Sequence, residues 1–122
     1  MQWALPAASL LAALWMGVHA IIGGRECAAP LARDRQLPDA VRETTLLYWH
    51  LVTGCLSLMA VFLFAGARGS AEMALAGTSM AAVIAATGLL MPPLRRVKYG
   101  LLPQGWLFVP VAALGAWGLC GG

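Results

Sequence analysis

Charge is scarce in this chain. Eight basic and five acidic side chains among 122 residues make it 11% charged and 61% hydrophobic, whereas a soluble domain carries about 25% charged residues. The shortage excludes an ordinary soluble domain, and the apolar content excludes disorder, which needs low hydrophobicity. Acidic groups are missing from the interior of every long apolar run. That argues against a four-helix drug/proton exchanger, whose mechanism needs a carboxylate inside the membrane. The glycine-rich phosphate loop, H-E-x-x-H and G-x-S-x-G are also absent. The three cysteines, Cys27, Cys55 and Cys120, form no C-x-x-C, so neither a zinc site nor a dithiol redox motif is signalled. They are expected to pack as small apolar side chains.

What fills the chain is four apolar stretches, roughly 4–22, 45–66, 71–91 and 103–120. Each is about as long as a helix must be to cross ~30 Å of hydrocarbon at 1.5 Å per residue. The expected fold is therefore an all-α membrane protein, an antiparallel bundle of four transmembrane helices in one domain spanning 1–122. The first stretch invites confusion with a leader peptide. Met1-Gln2-Trp3 carries no basic side chain and the run is too long, so a retained helix is expected.

Seven of the eight basic residues lie in two connections. Arg25, Arg33, Arg35 and Arg42 occupy 23–44; Arg95, Arg96 and Lys98 occupy 92–102; only Arg68 lies elsewhere. The positive-inside rule makes the two basic connections cytoplasmic and both termini periplasmic. Basic residues flanking apolar spans are topology signals and lipid-headgroup contacts, so the net charge of +3 does not point to nucleic acid.

Local signals mark the expected element ends. Gly23-Gly24 is read as the stop of helix one and Pro38 as the first turn of helix two. Ser70 is read as the N-cap of helix three, with Glu72 in its first turn. Met91-Pro92-Pro93 is read as the stop of helix three, and Pro103 as the start of helix four. Pro110, inside helix four, predicts a kink. Gly77, Ala81 and Ala85, with Ala74, Ala82 and Gly88, make helix three small-sided, as do Gly115, Ala116 and Gly118 on helix four. Small residues let membrane helices approach closely, which places helix three centrally or against a partner chain. Phe62, Leu63 and Phe64 are assigned to lipid contact. Trp3, Trp106, Trp117, Tyr48 and Trp49 are read as interfacial anchors.

Few polar groups enter the spans. His19 and His50 fall at about the same depth on neighbouring helices, near the cytoplasmic edge, with Glu26 and Glu43 close in sequence. Arg25-Glu26 and Arg42-Glu43 are expected to neutralise each other there. Intramembrane ionisable groups usually face the bundle interior. Three readings stay open for the histidines. One is a structural hydrogen-bonded pair. The second is a metal or haem b site, with the two histidines as axial haem ligands, or with Glu26, Glu43 or Cys27 supplying the remaining ligands of a zinc ion. The third is a proton- or quinone-linked site. Thr53, Gly54 and Ser57 extend a modest polar face from His50, with hydroxyls expected to bond to backbone or to a neighbouring helix.

His19-x4-Gly24-Arg25-Glu26, Pro30-Leu31, Trp49-His50 and Pro103-Gln104 before a terminal helix form a pattern over most of the chain. It resembles small four-helix proteins of bacterial inner membranes whose function is uncharacterised. The resemblance implies a bacterial plasma-membrane location and transfers no catalytic residue. The leading expectation is a non-catalytic accessory or scaffold subunit of a membrane complex, or a homo-oligomer associating through helices three and four. A haem-, metal- or quinone-binding protein using His19 and His50 is the alternative, and a small transporter the third.

Overall fold

A computed structural model describes residues 3–121, and all of its regular structure is helical. Four rods follow one another: α1 Ala4–Arg33, α2 Asp39–Ala67, α3 Ala71–Leu94 and α4 Gln104–Cys120. The first three are long and apolar enough to cross a membrane, and α4 is a shorter apolar helix of 17 residues.

Several predicted boundaries hold. Pro38 stands at the N-cap of α2 and Pro103 at that of α4. Ser70 caps α3, its Oγ accepting the Met73 N–H at 3.4 Å. The turn between α2 and α3 is short because Gly69, at φ 111°, takes a left-handed conformation open to glycine.

Two predicted stops do not. Gly23-Gly24 does not end α1. From His19 to Ala28 the helix loosens into a π-helical segment, and Ala29–Arg33 resumes α-helical winding. The Ala29 N–H reaches the Gly24 carbonyl, five residues back. A glycine pair frees the backbone to turn, but ending the helix would leave its last carbonyls without a partner in the chain. Wider winding keeps them bonded. Pro92-Pro93 does not end α3 either; both sit inside its last turn, and the helix runs to Leu94. Pro93 has no N–H for the Leu89 carbonyl four residues back. The Tyr99 hydroxyl donates to that carbonyl at 2.7 Å.

Each rod packs on two others around one core. Ser9 on α1 donates its hydroxyl to the Ala60 carbonyl of α2 at 3.0 Å. Leu63 on α2 packs over Gly77 of α3, and the backbones of α3 and α4 meet at Gly88 and Gly105. α4 returns to α1, with Leu5 over Gly118 and Trp3 edge-on to Trp117 at 5.4 Å. The core holds Ala8, Ala12, Leu56, Met59, Leu63, Ala81, Ala85, Phe108 and Val111.

Small residues let the rods come this close, as expected for α3, where Ala74, Gly77, Ala81 and Ala85 are buried. The same device on α1 escaped the sequence reading: Ala4, Ala8 and Ala12, four apart, are fully buried. Leu63 corrects the assignment to lipid contact. It has no exposed surface, while Phe64 next to it faces outward. All three cysteines are free and exposed on the chain.

Candidate functional site

The junction of α1 and α2 holds the polar cluster singled out in the sequence. His19 opens the π segment and is half-buried. Its ring lies flat on the indole of Trp49, with centroids 4.0 Å apart and planes 16° from parallel. Its Nε2 stands 3.5 Å from the Trp49 carbonyl oxygen, the outer limit of a weak hydrogen bond. The indole also crosses Gly23, where a Cβ would stand 2.7 Å from Cη2. The glycine pair thus makes room for Trp49 rather than stopping the helix. Matching the depths of the two helices from sequence came within one residue, but His19 meets Trp49.

The other named residues lie apart. His50 follows Trp49 on α2, a turn of about 100° around the helix, and is exposed. Glu26 is exposed within the π segment. Glu43 is exposed and accepts from Arg42 Nε at 3.1 Å. Among the described residues no hydrogen bond or ion pair joins any two of His19, Glu26, Glu43 and His50, and no three His, Cys, Asp or Glu side chains converge to hold a metal ion.

Arg42 is the polar hub that sequence reasoning underrated. Besides Glu43, its Nη2 donates to Asp39 Oδ1 at 2.7 Å and its Nη1 to the Asp34 carbonyl at 3.4 Å. The three-residue spacing of Asp39 and Arg42 on one helix was the available signal. Both carboxylate partners are well exposed, so solvent screening leaves each pair weak. The arrangement ties the 34–38 connection to the first turn of α2. Arg25 and Glu26, expected to pair, form no ion pair among the described residues.

The hydroxyls of α2 turn back on their own helix. Thr53 donates to the Trp49 carbonyl at 3.1 Å and Ser57 to the Thr53 carbonyl at 2.8 Å. These are the backbone bonds expected of hydroxyls in a span. Pro110 is exposed on α4. The cluster as a whole stacks, caps and ties two helices. No family, curated protein or solved structure matches this chain.

Proposed function

We propose that this chain is a small integral protein of a bacterial inner membrane that serves as a non-catalytic accessory or scaffold subunit, or assembles with copies of itself. Four antiparallel spans put both termini on the periplasmic side, with loops 23–44 and 92–102 in the cytoplasm. Seven basic residues in those two connections, against one elsewhere, support this orientation.

The observation that carries the assembly reading is the outer face of α3. The small residues Ala74, Gly77, Ala81 and Ala85 are already covered by neighbouring helices of the same chain. A second small-residue row, Ser79, Ala82 and Ala86, points away from the core and is exposed. Among the described residues nothing covers it fully. Ala113 and Ala116 on α4 are likewise exposed. Small outward rows waste lipid contact area but admit another helix closely, which fits a surface for a further membrane chain.

The test is the particle that emerges from the membrane in mild detergent. The reading expects a defined oligomer or a stoichiometric partner, lost when Ala82 and Ala86 are both replaced by Leu. A strictly monomeric wild-type particle sinks it.

A further inference from the structure

The 34–38 connection carries a feature that the assembly reading does not use. Between the end of α1 and the start of α2 lies a cavity of about 470 Å³ lined by Ala32, Arg33, Arg35, Asp39 and Arg42. That volume is within the range of small-ligand sites. Three of the lining residues are arginines, and Arg42 is already engaged by Asp39 at 2.7 Å and by Glu43 at 3.1 Å. Among the described residues, the side chains of Arg33 and Arg35 make no hydrogen bond or ion pair. Their donors are therefore free to bind a ligand at the cavity.

The geometry points to a phosphate-binding site formed by Arg33, Arg35 and Arg42 that takes the headgroup of an anionic phospholipid. A guanidinium presents a planar fork of donors that matches two phosphate oxygens at once. Arg33 ends the last turn of α1 and Arg35 lies in the bend before α2. On the membrane reading, that is the level of the headgroups. Arg42 is held in place by Asp39, Glu43 and the Asp34 carbonyl, so the fixed arginine forms one wall and the two free ones close on the ligand. A lipid bound here would fasten the connection between the first two helices to one leaflet.

The site rests on the membrane reading for the source of its phosphate, and partition of the chain into the membrane fraction tests that reading separately. Native mass spectrometry of the full chain in neutral detergent tests the site, with phosphatidylglycerol and phosphatidylcholine of identical acyl chains as probes. The wild type is expected to retain phosphatidylglycerol about tenfold better than phosphatidylcholine. R33Q/R35Q is expected to lose that preference, while R95Q/R96Q, which removes equal charge from the other basic connection, keeps it. Unchanged helical circular dichroism shows that both variants are folded. A preference that survives R33Q/R35Q, or falls equally in both variants, overturns the site. Displacement of the lipid by millimolar inorganic phosphate overturns the headgroup assignment, because the ligand is then free phosphate.

Discussion

Ser9 and Thr78 are both buried, and they are in opposite conditions. Ser9 donates across to Ala60 of another helix, while the Oγ1 of Thr78, facing Gly115, has no partner among the described residues. Ser9→Ala should therefore lower stability by about 1 kcal/mol. Thr78→Val keeps the shape and removes an orphaned hydroxyl, so it should raise stability by about 1 kcal/mol. Unfolding midpoints in detergent read both, and a destabilised Thr78→Val would show that the hydroxyl has found a partner. Gly23 makes a similar point by close approach. Gly23→Leu should push the Trp49 indole off His19, shift its fluorescence and cost about 1–3 kcal/mol. None of these pairings was visible in the sequence. Trp49 is as plausible an anchor as Tyr48 until α1 comes within 4.0 Å of it.

At the scale of the element, helix ends were legible where the chemistry is local. The cap at Ser70 and the starts after Pro38 and Pro103 need only the residue and its immediate neighbours. The ends marked by Gly23-Gly24 and Pro92-Pro93 depended on what could take up the freed carbonyls. At α1 the π segment does this from within the helix; at α3 a tyrosine ten residues along the chain does it. Tyr99→Phe should then cost about 1 kcal/mol in the wild type and almost nothing in a Pro93→Ala background, where residue 93 supplies the N–H. A double-mutant cycle measures that coupling; equal cost in both backgrounds would separate Tyr99 from the proline. The α3–α4 crossing is less forgiving. A Cβ on Gly105 meets the backbone of Gly88 and Leu89, which cannot swing aside as a side chain can. Gly105→Ala should force the two helices apart and lower stability by about 1–3 kcal/mol.

At the scale of the whole molecule, the cysteines that fail to enter the core become reporters of orientation. Cys27 lies in the first basic connection, Cys55 midway along α2 and Cys120 at the end of α4, and all are exposed on the chain. In intact spheroplasts a membrane-impermeant maleimide should label Cys120 alone. Inverted vesicles should label Cys27, and Cys55 should react only after detergent, since the thiolate form needs water. Labelling of Cys27 from outside would reverse the proposed topology. The candidate site shows the same division of information. The depth at which His19 meets α2 was legible to within one residue, because helical rise fixes it. The site's membership was not, since one residue along α2 is about 100° around it. That step turns Trp49 towards α1 and leaves His50 outside.

By itself the sequence determined the all-helical class, the number and order of apolar rods and most of their starts. Those follow from composition, run length and capping chemistry, which act within a few residues. It also carried the lopsided arginines that argue for an orientation. Only the tertiary structure decided which small residues are spent inside the chain and which are left on its surface. It likewise decided that Leu63 is core and Phe64 is not, and that Arg33 and Arg35 line a cavity without a bonded partner among the described residues. These depend on the rotation of each helix about its own axis, which is set by neighbours far away in sequence. In so apolar a chain, nearly every face has the same hydrophobicity and does not announce which way it turns.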